Sequence, residues 1–301
     1  MKYKEPPESG DPSGLAQDLQ DLRINIQCCR YWWLKKWKHR RLSYPFWRLY
    51  YNVNPGAFVY YRKKVQLHPG EMILIPPFTP FSTNLDFAGD KEEYGLDGGW
   101  INSRETEIKA IDNGYVLHLF LHFNLGYPLD LVVPGIYPLE INDAIHEVLQ
   151  QIIRIHKSEN QHFSLKDTIR HHLLINFALS QLPASVWENQ RPDHRIQEAI
   201  RFMNRNLHQK MTNKDLADSV GMAVNSFAKL FRQQMGNSPG QYLMRLRVEN
   251  ACNLLHHTQS GISQIAEECG FTDRYYFTKA FKKMMHLTPV KYRNQFLLPR
   301  Q

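Results

Sequence analysis

Apolar positions follow two different periods along this 301-residue chain. From about Leu22 to Val133, short runs rich in Tyr, Trp, Phe and Val are cut by Pro and Gly. Gly56-Ala57-Phe58-Val59-Tyr60-Tyr61, Glu71-Met72-Ile73-Leu74-Ile75 and the run Tyr115 to Phe123 predict strands. His68-Pro69-Gly70, Pro76-Pro77 and Asp112-Asn113-Gly114 supply turns between them. Many short strands at this spacing predict a sandwich or small barrel. Beyond it the period becomes helical. Residues 138–157 place Ile141, Ile145, Val148, Leu149, Ile152 and Ile155 at helical spacing. Residues 164–182 open with Ser164 and Asp167, a capping-box-like start, and continue through Leu165, Ile169, Leu173, Phe177 and Leu182. One of these stripes is expected on the barrel and another on a second subunit, the alternative being that both are ordinary core.

Residues 183–193, bracketed by Pro183 and Pro192, lose all periodicity and predict an interdomain linker. The remainder predicts about seven helices. Thr212 with Asp215 caps one of them, Ser238-Pro239 opens a long one through Leu255, and Thr288-Pro289 opens the last. Within this region one pattern occurs twice. Leu216-Ala217, Gly221, Phe227, Phe231 and Pro239 are followed by Ile265-Ala266, Gly270, Phe277, Phe281 and Pro289. The phenylalanines are four apart in both copies, whereas the glycine precedes the first of them by six residues in one copy and seven in the other. An apolar-Ala pair, a turn glycine and a second amphipathic helix make a helix-turn-helix, whose second helix is the one that enters a DNA major groove.

Charge sharpens this picture. Residues 191–301 hold 17 Lys and Arg against 8 Asp and Glu, while residues 1–190 hold 20 against 21. The whole formal charge of +8 therefore comes from the segment with the repeat, as phosphate neutralisation would require. No stretch reaches the ~18 apolar residues of a membrane span, and the N-terminus has no apolar signal core, so residues 1–20 are expected to be a polar tail and the protein cytoplasmic. Cys28, Cys29, Cys252 and Cys269 lack zinc-type spacing and are expected to be free thiols.

In each copy the Phe pair falls on one face and packs inward, so the opposite face meets DNA. That face offers Val224, Asn225, Ala228, Lys229 and Arg232 in the first copy, and Arg274, Tyr275, Thr278, Lys279 and Lys282 in the second. Arg and Lys suit guanine edges, Asn adenine edges, and Thr a thymine methyl. Arg274 is expected to touch bases; Lys282, Lys283 and Arg232 are expected to anchor phosphates. The long helix between the copies, roughly 16 residues and ~24 Å, is a rigid spacer compatible with second helices ~34 Å apart.

The stretches IQEAIRFMNRNL, LADSVGMAVNSFAKLFRQQMGNSPGQYLMRLRVENACNLL and ISQIAEECGFTDRYYFTKAFKKMMHLTPVKYR closely resemble the AraC/XylS family of bacterial transcription regulators. The resemblance covers about residues 193–294 and implies seven helices with two helix-turn-helix units bridged by the long helix. It also implies base reading from Asn225, Ala228 and Lys229, and from Arg274, Tyr275 and Lys279. Ala223 stands where the family usually has a Ser cap, which removes ~1 kcal/mol of capping. His286 replaces a usual glycine and is expected to accept a left-handed conformation at modest cost. Ala228 is small where a polar base reader is common, so the second unit is expected to carry more of the specificity.

The stretch VQLHPGEMILIPPFTPFST resembles the cupin-like sensory domain of sugar-responsive members of the family. The His-x-His pair of cupin enzymes is missing before a Glu, so neither a metal nor catalysis is expected, and no cofactor. His118 and His122 share a strand face with Phe120 and Asn124, opposite Leu117, Leu119, Leu121 and Phe123. Such a wall suits a small polyhydroxy effector, with Arg48 as a further candidate contact. The bland alternatives are a satisfied or exposed His pair and a structural Arg48. The run Lys35, Lys36, Lys38, His39, Arg40, Arg41 reads as a solvated loop.

The expected architecture is α+β and multidomain. It comprises a cupin-like β-barrel or sandwich (21–135), a helical connection suited to dimerisation (136–182), the linker (183–193) and an all-α DNA-binding domain (194–297). The expected function is an effector-controlled, sequence-specific transcription regulator. Its expected partners are double-stranded promoter or operator DNA, a small effector such as a carbohydrate, a second copy of the chain, and RNA polymerase if it activates; no membrane is expected. Two alternatives stay open: a cupin-type sugar-modifying enzyme with a DNA-binding appendage, and a regulator with no small effector.

Overall fold

One 18-residue strand, β1 (Asn25–Leu42), organises the N-terminal half of the protein. A computed structural model describes residues 22–87, 94–126, 129–157, 163–187, 193–285 and 287–296. The tail expected over residues 1–20 and the conformation expected of His286 lie outside them. Eight more strands follow: β2 (Trp47–Asn52), β3 (Ala57–Tyr61), β4 (Lys63–Leu67), β5 (Glu71–Ile75), β6 (Phe81–Leu85), β7 (Gly95–Trp100), β8 (Val116–Asn124) and β9 (Tyr137–Glu140). They pair in the order β4-β3-β6-β1-β8-β2-β5-β9, with β7 also on β1, and all of these pairings are antiparallel. The long strand closes the barrel by changing partners. Its first half pairs with β8 and β7, and its end pairs with β6. Register shifts interrupt it between Leu34 and Lys36 and between His39 and Leu42, and Arg41 has φ +52° where the strand turns. Such bulges bend a strand and let it serve two sheets.

The basic run Lys35 to Arg41 is therefore part of β1, not a loop. Its lysines reach solvent while Trp37 is buried, so the charged residues are the outer face of a wall. The helix expected from residue 138 begins at Asp143 instead. Tyr137–Glu140 form β9 on the edge of β5, and Asn142 then caps helix α2 (Asp143–His156) through its side chain to Ile145 N. A short helix not foreseen, α1 (Arg104–Asp112), is capped by Ser103. The box at Ser164 and Asp167 does open helix α3 (Leu165–Ser180).

Two apolar clusters fill this half. One lies inside the barrel, around Leu34, Trp37, Tyr50, Val59, Leu67, Ile73, Phe81 and Val116. The other lies outside it, where Leu117, Leu119, Leu121 and Phe123 of β8 meet Leu149, Ile152 and Ile153 of α2 and Leu174, Ile175 and Ala178 of α3. On the opposite side of α3, Leu165, Ile169 and Leu173 are exposed. The start of the expected linker belongs to this core as well. Val186 is buried and Trp187 stacks on Trp47 at 5.9 Å, while residues 188–192 lie outside the described residues.

The C-terminal half is helical: α4 (His194–Arg205), α5 (Asn213–Asp218), α6 (Val224–Met235), α7 (Pro239–His257), α8 (Ile262–Glu268), α9 (Arg274–Met285) and α10 (Pro289–Phe296). Each repeat copy has its own core, one around Phe227, Phe231 and Tyr242 and one around Phe277, Phe281 and Tyr292. The helix α7 contributes to both and spans 19 residues, ~28 Å at 1.5 Å per residue. It also meets the barrel. The Arg245 guanidinium lies 4.7 Å from the ring centroid of Phe78 and pairs with Glu249 at 3.2 Å, and Tyr44 packs against the second helical core.

Candidate nucleic-acid interface and barrel cavity

The repeat is built twice in space. Leu216-Ala217 on α5 and Ile265-Ala266 on α8 are buried, and the turn glycines Gly221 and Gly270 take φ +63° and +75°. On α6 and α9, Phe227 and Phe231, like Phe277 and Phe281, are fully buried with ring centroids 5.5 Å apart in each copy. A tyrosine one helix later meets the second Phe edge-on: Phe231 with Tyr242 at 5.5 Å, and Phe281 with Tyr292 at 5.3 Å. That pair is a further element of the repeat, legible because Tyr242 and Tyr292 each lie three residues after the proline.

Fixing the aromatic face inward fixes what faces out. Residues 224–226, 229, 232 and 233 of α6 are exposed, and so are residues 274–276, 279, 282 and 283 of α9. Ala228 and Thr278 sit half-buried at the same step. Asn225, Lys229 and Arg232 therefore share one open surface, and Arg274, Tyr275, Lys279 and Lys282 share another, with Tyr275 87% exposed. An 87%-exposed tyrosine contributes little to the core and leaves its ring and hydroxyl open to solvent.

The two helix starts differ. Ala223 makes no side-chain cap for α6, whereas the Asp273 carboxylate accepts from Tyr276 N at 2.7 Å at the start of α9. The turns differ too. Around Gly221 nothing lies within 4 Å of where a Cβ would stand, but at Gly270 that position is 2.2 Å from Leu207 O and 2.9 Å from an Arg247 nitrogen. Arg247, on α7, donates to Leu207 O at 3.1 Å and to Gln209 O at 2.6 Å. The second turn is thus wedged against the end of α4, and the two units are joined by more than the helix between them.

In the barrel, a half-open cavity of about 80 Å³ is lined by Trp32, Trp37, Tyr44, Arg48, Tyr50, His118, Phe120 and His122, with Leu34, His39, Leu42 and Leu96 completing its wall. His118 and His122 do share this interior face with Phe120. His118 donates Nδ1–H to Asn52 Oδ1 at 2.7 Å, which leaves Nε2 with its lone pair, and burial pulls its pKa down to about 3. His122 packs between Phe46 and Phe120 with Nδ1 3.3 Å from Cys28 Sγ, and burial pushes that thiol up to about 12. Arg48 is buried, its guanidinium 3.8 Å from the Tyr44 ring centroid and 5.0 Å from that of Phe81. Its Nε has no hydrogen-bond partner, and no carboxylate pairs with it among the described residues. Asn124 is not part of the cavity. Its amide is consumed at the strand end by Gln27, by Pro45 O at 2.8 Å and by Asp130 at 3.3 Å.

Sequence reasoning passed over Trp32, Trp37, Tyr44 and Tyr50. Trp32, Leu34, Trp37 and His39 all lie on β1, where the period-2 signal is broken by the bulge after Leu34 and masked by the lysines between them.

Comparison with known proteins agrees with this two-part layout. Residues 216–295 match a family model described as a helix-turn-helix domain. The lactose operon transcription activator of Staphylococcus xylosus is 37% identical over 101 residues, covering 34% of this chain and 36% of its own length. The transcriptional activator RhaR of Mannheimia succiniciproducens is 31% identical over 103 residues, 34% of this chain and 37% of its own length. These matches therefore span little more than a third of each relative. An uncharacterized HTH-type transcriptional regulator of Haemophilus influenzae is 25% identical over 252 residues, 78% of this chain and 82% of its own. The crystal structure of ToxT from Vibrio cholerae O395 aligns with a TM-score of 0.54 at 12% identity, over 91% of this chain and 98% of that one. It has the same fold.

Proposed function

We propose that the chain is a sequence-specific DNA-binding regulator of the AraC/XylS type, acting through its C-terminal helix-turn-helix domain. One observation carries the reading: both copies bury the same aromatic face and thereby turn the same basic, polar face outward. Among the described residues, the side chains of Asn225, Lys229, Arg232, Arg274, Lys279 and Lys282 are exposed and make no hydrogen bond or ion pair within the domain. In this reading α6 and α9 enter successive major grooves. Arg274 reads a base, aided by Tyr275, Thr278 and Lys279, while Lys282 and Arg232 hold phosphates. Asn225, Ala228 and Lys229 of the first unit supply the weaker share. The test is a gel-shift titration on a selected binding site. Arg274→Ala should relax preference at one base pair by roughly 1–3 kcal/mol. Lys282→Ala should weaken all sequences alike and lower the salt slope by about 1. Equal loss of specific and nonspecific binding in Arg274→Ala removes the base-reading role.

The barrel cavity serves as the effector site in this account. A buried guanidinium without a carboxylate, three imidazoles and aromatic walls suit a ligand with a compact anionic group. An acidic sugar derivative meets that description better than a neutral sugar. At ~10–15 Å³ of such space per water, 80 Å³ holds about five to eight water-sized groups, which suits a compact ligand group. No carboxylate lines the cavity among the described residues, and burial pulls the pKa of His118 down to about 3 and that of His39 down to about 4, which supports reading the cavity as a binding site. A thermal-shift screen of neutral sugars against sugar acids and other small carboxylates tests this in wild type and Arg48→Met. Stabilisation by anions that the variant loses supports the site; stabilisation by neutral sugars alone refutes the anionic preference. Absence of any response favours a regulator with no small effector.

Tyr44 joins the two halves. It lines the cavity, stacks under Arg48 and packs against the core that α7 shares with α9 and α10. A ligand that moves Tyr44 shifts the seat of α7, and effector and DNA affinities become reciprocally coupled. The exposed stripe Leu165, Ile169, Leu173 on α3 supports a homodimer. RNA polymerase is a partner if the outcome is activation. No helix among the described residues is long and apolar enough to cross a membrane.

A further inference from the structure

Outside the barrel, three donors from three separate elements converge. Cys29 on β1, His156 at the last position of α2 and His171 on α3 are each at most 5% exposed. One ligand atom from each lies within 4.8 Å of the other two. The imidazole nitrogens His156 Nε2 and His171 Nε2 approach to 3.1 Å. We propose that Cys29, His156 and His171 bind a borderline-soft divalent cation, Zn²⁺ in the first instance.

The arrangement around the cluster is that of a ligand shell. His171 Nδ1 lies 2.7 Å from the Asp167 carbonyl oxygen, which can only accept, so Nδ1 carries the proton and Nε2 keeps its lone pair. That is the carbonyl-held tautomer usual for a metal-bound histidine. His156 Nδ1 is buried with no hydrogen-bond partner, so unlike His171 this ring has no acceptor fixing its tautomer. Phe163 covers both rings at 5.1 and 5.9 Å and shields them from water. Tetrahedral Zn²⁺, with bonds of ~2.0–2.1 Å to nitrogen and ~2.3 Å to sulfur, sets its donors roughly 3.3–3.6 Å apart. The donors here need only sub-ångström to ångström adjustments to reach that spacing. One thiolate and two neutral imidazoles favour Zn²⁺ over Mg²⁺ or Ca²⁺, which prefer oxygen. Binding replaces the thiol proton, released to solvent, by a metal–sulfur bond, and three protein donors leave the fourth position to an exogenous ligand.

The site is independent of the barrel histidines, and its position gives it consequence. It ties β1 to the α2–α3 pair, and His171 shares α3 with the exposed Leu165, Ile169, Leu173 stripe. No spacing motif announces it, since the ligands lie on a strand and two helices, with well over a hundred residues between Cys29 and His156.

The test uses the full chain, stripped with a chelator and then titrated with Zn²⁺ alone against a competing indicator. Co²⁺ serves as the spectroscopic probe. One equivalent per chain is expected, with a sulfur-to-cobalt charge-transfer band and a rise of several degrees in Tm on adding Zn²⁺. Cys29→Ala should abolish that band, and Cys29→Ala and His171→Gln should each weaken Zn²⁺ at least 100-fold. Cys252→Ala, a buried thiol elsewhere, should leave it intact. Circular dichroism of the stripped variants establishes that they fold. Should a variant be unfolded, stoichiometry and the cobalt band in wild type decide alone. Absence of a stoichiometric ion overturns the proposal, and so does binding that survives Cys29→Ala and His171→Gln but depends on His118 or His122.

Discussion

Replacing each turn glycine by alanine separates the two repeat units quantitatively. At Gly221 and Gly270 the backbone is left-handed, with φ +63° and +75°, so an added Cβ costs about 1–2 kcal/mol at either position. At Gly221 the cost ends there, because nothing lies within 4 Å of the new methyl. At Gly270 the methyl would stand 2.2 Å from Leu207 O, a backbone atom that cannot swing aside, and against the Arg247 guanidinium. Relief requires α8–α9 to move from the end of α4, or Arg247 to leave its two carbonyl acceptors. Overpacking of this kind adds ~1–3 kcal/mol, and the alternative, a lost charged hydrogen bond, about 1.5–3. Gly221→Ala should thus destabilise by about 1–2 kcal/mol and Gly270→Ala by about 2–5. Urea unfolding of the full chain, followed by circular dichroism, measures both. Equal losses would refute the reasoning, since they would mean that the second turn is as open as the first and the wedge against α4 absent.

Three further outcomes follow from the same contacts. Ala223→Ser supplies the missing cap of α6 and should stabilise by about 1 kcal/mol in urea unfolding, with tighter DNA binding through the first unit. Burial holds the folded-state pKa of His118 near 3, below its unfolded value near 6.5. The folded state therefore binds fewer protons, and stability present above pH 6.5 is lost as pH falls toward 3. The loss attributable to this residue is about 2 kcal/mol at pH 5, and His118→Leu should remove that much of the difference between pH 7.5 and pH 5. If the exposed stripe of α3 holds the proposed homodimer, Leu173→Lys should shift sedimentation from dimer to monomer without altering Tm of the monomeric unit; a monomeric wild type or an unchanged dimer in the variant refutes that contact.

What was legible in the sequence divides by the kind of signal. In the C-terminal half, helical spacing, caps and a repeat coincide, so Thr212, Ser238, Gly221 and the phenylalanines all have the roles their positions imply. In the barrel the signal is shorter and context decides. The run from Lys35 to Arg41 looked like a loop because its outward residues are all basic, yet its inward residues, Trp37 and His39, line the cavity. Residues 138–142 had helical spacing, but Pro138 and Leu139 found an open edge on β5 and the chain paired there first. Residues 184–186 have no period because they form a short 3-10 turn, in which Val186 is buried while Pro183, Ala184 and Ser185 are exposed. His118 and His122 were placed on the cavity face by simple alternation, and Asn124 failed because the strand ends there and turns its amide to Asp130. The donors Cys29, His156 and His171 were illegible, since only the docking of α2 and α3 on β1 brings them together.

The central claim is that one chain presents two reading helices to one face of DNA. Hydroxyl-radical and methylation footprinting on a selected site tests it most directly. The account predicts two protected major-groove segments about one helical turn apart, ~10–10.5 bp. Arg274→Ala should release contacts in one segment only, and Lys229→Ala should perturb the other. A single protected groove, or protection of both segments lost equally with either variant, would contradict it.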